Sequence, residues 1–246
     1  MRKSINVWLI IAAALVVLGS FLFVGVMFFA QWDFSKIGTT KYVTMSYEID
    51  EIFSNISINS DTTDIKIEQS LDGKCKVVCF EDVKESHEAK VEENTLVIKK
   101  NTNKAWYDYI GINFSSPKIT VYLPKNLCVK NLDLSLSTGD VFLSDITCDN
   151  LVSSGSTGDL EIKNVVANNK IDIKRSTGDI EFAGCDGAEI YISTNTGDVE
   201  GTLLSPKNFI TKTSTGKIRV PKSNAGGKCE ITTSTGDIEI EVSHGI

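Results

Sequence analysis

Residues 137–140 read Ser-Thr-Gly-Asp, and the same four letters return at 156–159, 176–179 and 234–237. Asn195-Thr196-Gly197-Asp198 and Ser214-Thr215-Gly216-Lys217 each differ from them by one residue. The glycines, Gly139, Gly158, Gly178, Gly197, Gly216 and Gly236, are spaced 19, 20, 19, 19 and 20 residues apart. A period of this size marks a solenoid, in which each repeat buries its apolar face only against its neighbours.

Apolar residues keep step with the glycines. Seven before each lie Leu132, Leu151, Ile171, Ile190, Phe209 and Cys229, and five before lie Leu134, Ser153, Ile173, Ile192, Thr211 and Ile231. Two after come Val141, Leu160, Ile180, Val199, Ile218 and Ile238; four after come Leu143, Ile162, Phe182, Gly201, Val220 and Ile240. Only Ser153, Thr211 and Gly201 break the set, and the residues between are mostly polar. Period-2 alternation of this kind predicts strands with one buried face. A straight strand would carry that face to odd positions after the glycine. The apolar set reappears at even ones, so the chain bends at Thr-Gly. Further apolar residues seven after the glycine (Ile146, Val165, Cys185, Leu204) predict a third inward wall. The expected fold is all-β: a single-stranded parallel β-solenoid of about 19–20 residues per coil, its coils about 4.8 Å apart.

Upstream, Ile56, Ile58, Ile65 and Ile67 reproduce the same offsets around Asp61-Thr62-Thr63-Asp64, a degenerate first coil with Thr63 at the glycine position. Lys76–Phe80, Thr95–Lys99 and Lys118–Leu123 have strand character, and Pro124 closes the last. Residues 41–125 are therefore the N-terminal part and cap of the β domain, and 126–246 its regular repeats. A separate small β domain is the alternative for 41–125.

Residues 7–30 contain no charge. At about 1.5 Å per residue such a helix exceeds the hydrocarbon thickness of about 30 Å. A cleaved signal peptide competes with this reading, but its apolar core is shorter and ends in small residues, whereas Met27, Phe28 and Phe29 are bulky. The expectation is one N-terminal transmembrane helix at 7–30, with 1–6 cytoplasmic, 31–40 a linker, and residues 31–246 extracytoplasmic, since Arg2 and Lys3 precede the segment and Asp33 follows it.

The chain of 246 residues has a net charge of −7. An acidic surface excludes nucleic acid as a partner, because phosphate binding needs a basic footprint. Two histidines, His87 and His244, leave little for imidazole or zinc chemistry. No Walker A, Gly-x-Ser-x-Gly, Gly-x-Gly-x-x-Gly or His-Glu-x-x-His is present, so neither an enzyme nor a cofactor is expected.

The apolar N-terminal segment, Ile56–Ile67, Lys118-Ile119-Thr120-Val121-Tyr122-Leu123-Pro124 and the Ser-Thr-Gly-Asp-Ile-Glu-type coils together resemble the bacterial putative-adhesin family of cell-envelope proteins, over residues 45–243. The resemblance implies a surface-exposed β-solenoid without established catalytic residues, some members looking like accessory proteins of envelope-stress systems. An adhesin-like or scaffold protein binding a cell-wall polymer or another envelope protein is thus expected, ahead of an envelope-stress accessory and a polysaccharide-acting enzyme.

Asp140, Asp159, Asp179, Asp198 and Asp237 form a column on stacking, with Lys217 in the fifth coil between acids above and below. Each aspartate is expected to cap its own turn amides; a calcium ladder on the same five is the alternative. Glu161, Glu181, Glu200, Arg219 and Glu239 form a second outward column, and six corner threonines (Thr138, Thr157, Thr177, Thr196, Thr215, Thr235) a third. Cys128 and Cys148, one coil apart, are candidates for a disulfide. Trp106, Tyr107 and Tyr109 are expected to cap the solenoid end or to contact a partner. The C-terminal coil has an open edge and is a candidate for homo-oligomerisation.

Overall fold

The computed structural model describes residues 2–33, 40–104, 115–223 and 225–243. The chain divides into two units, one containing the helix and the other all the strands. Helix α1 spans Arg2–Phe29. Its segment Val7–Phe29 is long and apolar enough to cross a membrane, a property that signal sequences share. The helix ends in a Schellman motif: Gln31 and Trp32 adopt positive φ, and their amides donate to the carbonyls of Phe28 and Met27.

The strands are β1 (Tyr42–Ile49), β2 (Asn55–Thr62), β3 (Asp64–Gln69), β4 (Cys75–Asp82), β5 (Glu85–Glu92), β6 (Thr95–Thr102), β7 (Lys118–Leu123), β8 (Val129–Thr138) and β9 (Val141–Ser144). They continue as β10 (Thr147–Thr157), β11 (Leu160–Lys163), β12 (Val166–Thr177), β13 (Ile180–Ser193), β14 (Val199–Leu203), β15 (Asn208–Thr215), β16 (Ile218–Arg219), β17 (Lys228–Thr235) and β18 (Ile238–Val242). Successive repeats pair in parallel with the glycines in register; Leu132 lies beside Leu151, and Leu151 beside Ile171. The degenerate coil joins them, with Ile56 beside Leu132 and Ile65 beside Val141. The inward offsets line one continuous core, in which Leu132, Leu151, Ile171, Ile190, Cys229 and Ile238 are fully buried.

The corner shows why glycine recurs. Gly158 and Gly178 have φ of +129° and +140°, and a Cβ on either would lie 2.1 Å from the carbonyl oxygen of the preceding corner glycine. Thr63 has no positive φ, and its coil begins this column, so a side chain is admitted there. A second corner six residues on uses Asp145 and Asn164 at φ 56° and 52°, then Gly184 at 65°. Asn164 Nδ2 donates to Asp145 Oδ1 at 2.9 Å.

Four expectations are corrected. First, the sheet is mixed rather than wholly parallel: β1 with β4, β4 with β7, β4 with β5, and β5 with β6 are antiparallel. These strands close the N-terminal end, and the β5–β6 hairpin turns through Glu93 and Asn94 with positive φ at both. Second, the last two coils exchange places. β13 and β14 pair with β17 and β18, which in turn pair with β15 and β16. The Gly216 coil therefore lies at the end of the stack, and the C-terminal coil is interior. The order puts the wholly apolar inward set inside: Cys229, Ile231, Ile238 and Ile240 are buried to within 2 %, whereas the Gly216 coil carries Thr211 in that set and leaves Ile218 43 % exposed.

Third, Leu204 is 48 % exposed and Leu203 points inward beside Cys185, because the strand shifts register there after Gly201. Fourth, all six cysteines are free. Cys148 lies beside Val129 rather than Cys128, and that one-residue offset turns Cys128 to the surface.

Burial pushes the thiols of Cys79, Cys148 and Cys229 up to about 12 and that of Cys75 to about 11, with Glu81 and Asp149 adding to the effect at Cys79 and Cys148. In the unfolded chain these thiols ionise near 9, so between about pH 9 and 12 the folded state holds protons that the unfolded state has lost. Stability contributed by the buried thiols is complete below pH 9 and falls as pH rises through that window. Brief iodoacetamide treatment at pH 8 is expected to alkylate Cys128 alone, read by peptide mass spectrometry. Equal alkylation of Cys229 would contradict the packing.

Candidate functional site

The corner aspartates are built into the ladder. Asp140 N–H donates to Asp64 Oδ1 at 3.0 Å, Asp159 N–H to Asp140 Oδ1 at 2.9 Å, and Asp179 N–H to Asp159 Oδ1 at 2.9 Å. Asp198 N–H then donates to Asp179 Oδ1 at 2.8 Å, Asp237 N–H to Asp198 Oδ1 at 2.7 Å, and Lys217 N–H to Asp237 Oδ1 at 2.7 Å. Each carboxylate therefore binds the amide of the neighbouring coil, which corrects the expectation that it caps its own turn. Repulsion between adjacent exposed charges is about 1 kcal/mol in water. An amide bond to a carboxylate contributes about 1.5–3 kcal/mol, so the column is held together despite its charge.

The geometry adds Asp64 to the five expected aspartates and moves Lys217 from the middle of the column to its end. Lys118 stands beside Asp64 at the other end. Six aspartates are thus bracketed by a lysine at each end. The outward column follows the same plan: Lys66, Phe142, Glu161, Glu181, Glu200, Glu239 and Arg219. Arg219 Nη1 bonds both oxygens of Glu239 at 2.9 Å. Where the columns begin, Lys66, Lys118, Asp64, Asp140 and Glu161 surround a groove of about 320 Å³ beside Phe142. Among the described residues, no three His, Cys, Asp or Glu side chains converge as a metal site.

The corner threonines do stack, Thr138 beside Thr157 and Thr157 beside Thr177. The hydroxyl bonds at the corner come from the inner residues Thr213 and Thr233, to the carbonyls of Gly236 and Gly197. Trp106, Tyr107 and Tyr109 lie outside the described residues.

Among the buried polar groups not visible in the sequence pattern, two stand within the stack of strands. Ser60 Oγ lies 2.9 Å from His87 Nε2, and His87 Nδ1 lies 3.0 Å from Glu81 Oε2, which also accepts the His87 amide at 2.7 Å. The spacing is that of a serine–histidine–carboxylate relay. Exposures of 3 %, 2 % and 1 % for Ser60, His87 and Glu81 keep substrate away, so the three act as a latch joining β2, β4 and β5. Glu81 Oε1 has no hydrogen-bond partner among the described residues. Outside the latch, Lys100 pairs with Asp61 and Glu85, and Lys104 with Asp82 and Glu85. The second group is Arg175, 5 % exposed, whose guanidinium lies over Gly155 and donates to Ser153 Oγ at 2.9 Å. Desolvation lowers its pKa to about 10.

Residues 53–245 match the family described as Toastrack DUF4097. Among solved structures, a protein from Clostridium sporogenes described as "a putative cell adhesion protein" is 12 % identical and superposes with a TM-score of 0.51, covering 82 % of this chain and 100 % of its own. It shares the fold. "A putative adhesin" from Bacteroides fragilis is 17 % identical with a TM-score of 0.38, covering 82 % and 97 %. One from Parabacteroides distasonis is 12 % identical with a TM-score of 0.34, covering 82 % and 98 %. No curated protein matches the chain.

Proposed function

This chain belongs to the Toastrack DUF4097 family, and on that premise we propose that it is a non-enzymatic, adhesin-like binding protein of the cell envelope. In this reading α1 anchors it in the membrane, residues 31–246 lie on the extracytoplasmic side, and residues 129–242 form a parallel β-solenoid. Arg2 and Lys3 before the apolar segment support that orientation. The observation that carries the binding role is the pair of acidic columns at strand spacing, fixed by backbone hydrogen bonds on a nearly loop-free stack. A rigid periodic array suits many weak contacts with a repeating polymer, where avidity replaces single-site affinity. The cell-wall polymer is the expected partner. A cation bridging an anionic polymer to the aspartates, calcium in particular, fits the oxygen each carboxylate leaves unused by the ladder.

The test uses the full chain in nanodiscs, incubated with purified wall polymer, with and without calcium. The variant carries Asp159→Asn, Asp179→Asn and Asp198→Asn. Asparagine retains an oxygen acceptor for the neighbouring amide, so the ladder survives while three charges are removed. Binding is expected to weaken at least about tenfold in the variant, and its thermal midpoint to stay level or rise as repulsion is relieved. Unchanged binding in the variant would refute the acidic face as the contact surface.

A further inference from the structure

The end of the stack differs chemically from its middle. Among the described residues the coil β15–β16 pairs on one side only, with β17 and β18, so its eight-residue strand Asn208–Thr215 keeps a free edge. The amides of Gly236 and Ile238 donate to Thr215 and Lys217 carbonyls, but the equivalent amides of Gly216 and Ile218 meet no further coil among the described residues. At this edge the aspartate column is replaced by Lys217. Its amide takes the last carboxylate, and its side chain accepts nothing. Another solenoid turn added here would find no acceptor for its corner amide. A second copy offers a poor fit for that reason, and also because the edge of each copy is basic.

The end coil carries Lys212 on β15 and Lys217 at its corner, and Lys222 follows in the link to β17; all three are exposed and without an ion-pair partner among the described residues. Ile210 and Ile218 beside them are 49 % and 43 % exposed. Beside β16 lies a groove of about 790 Å³ lined by apolar residues such as Leu204, Val220 and Ile240 together with Arg219, Glu239 and Glu241; its carboxylates make it a poor seat for acidic side chains, which leaves β15 and its lysines as the docking edge. Unpaired strand, unpaired cations and the exposed Ile210 thus occur together on β15 and the corner that follows it.

We propose that this end of the stack docks an extended acidic segment of a partner protein, added as a strand along β15 with its carboxylates facing Lys212, Lys217 and Lys222. Main-chain pairing supplies affinity in such an arrangement, and charge selects the partner. The surface lies at the end of the acidic columns rather than along them; substituting Lys212 and Lys217 leaves Asp159, Asp179 and Asp198 in place, so either role can fail without the other. Edge lysines also deter aggregation, and the experiment separates the two functions.

A fluorescein-labelled peptide of alternating valine and glutamate is titrated with the full chain in nanodiscs, followed by anisotropy at low and high salt. A valine–lysine peptide serves as control. Saturable binding of the glutamate peptide alone is expected, with at least about tenfold weakening in Lys212→Glu/Lys217→Glu. The milder Lys212→Gln/Lys217→Gln pair guards against misfolding and is expected to fall between. Failure of the glutamate peptide to bind, or equal binding to wild type and charge-reversed variant, overturns the proposal and leaves the lysines as edge protection. Concentration-dependent dimerisation of the wild type that the lysine variants abolish would overturn it in favour of a second copy.

Discussion

Gly178→Ala is expected to destabilise the protein by about 3–5 kcal/mol and to lower its thermal midpoint by roughly 10 °C. A methyl group there would lie 2.1 Å from the Gly158 carbonyl oxygen and 2.6 Å from its carbon, at a φ of +140°. Relief by local movement is blocked from both sides. Gly178 N–H is bonded to the Thr196 carbonyl above, and Asp179 N–H to Asp159 Oδ1 below. The strain must therefore separate two coils of the ladder. Thr63→Ala, at the one corner position where a side chain is native, is expected to cost under about 1 kcal/mol. Calorimetry of the full chain in detergent checks both. A Gly178→Ala protein melting within a degree or two of wild type would mean that the corner is looser than its contacts state.

His87→Ala is expected to cost about 3–5 kcal/mol, because it strands the Glu81 carboxyl at 1 % exposure without its imidazole and leaves Ser60 Oγ unbonded. The loss should be partly recovered in Glu81→Met/His87→Leu, since the stranded carboxyl goes with its partner, while Ser60 Oγ and the amide of residue 87 stay unpaired. Denaturant midpoints for the single and double variants measure this. A fluorophosphonate probe is expected to leave Ser60 unlabelled in the folded protein, given its 3 % exposure. Rapid labelling that His87→Ala abolishes would turn the latch into a catalytic relay.

The repeat was legible because its signal is local: a glycine every 19 or 20 residues and an inward set at constant offsets. Even the exceptions were informative once their neighbours were known. Ser153 is polar because its hydroxyl receives Arg175 from the adjacent coil, and Gly155 is small because that guanidinium lies on it. Gly201 sits where a Cβ would meet the Phe182 carbonyl oxygen at 1.9 Å, and Thr211 belongs to the end coil. What could not be read locally was anything set by comparison between coils. The tetrapeptides at 214–217 and 234–237 have the same offsets, and only the relative apolarity of their inward faces decides which is interior. Strand direction at 75–104 was equally hidden, since alternation looks alike in parallel and antiparallel strands. The Ser60–His87–Glu81 latch depends on that reversal, which brings β4 and β5 over β2. The stacking of the aspartates, by contrast, was readable, but not the inclusion of Asp64, the end position of Lys217 or the bond of each carboxylate to the neighbouring coil's amide.

The exchanged order of the last two coils constrains how the molecule can be made. Residues 208–219 reach their native neighbours, β17 and β18, only once 228–242 have seated on β13 and β14. Until then β13 and β14 offer the earlier segment the same corner register that the later one finally takes, so the native order requires the C-terminal coil to hold that edge in its place. Native assembly thus does not advance strictly from the N-terminus: the coil synthesised last but one joins the stack last.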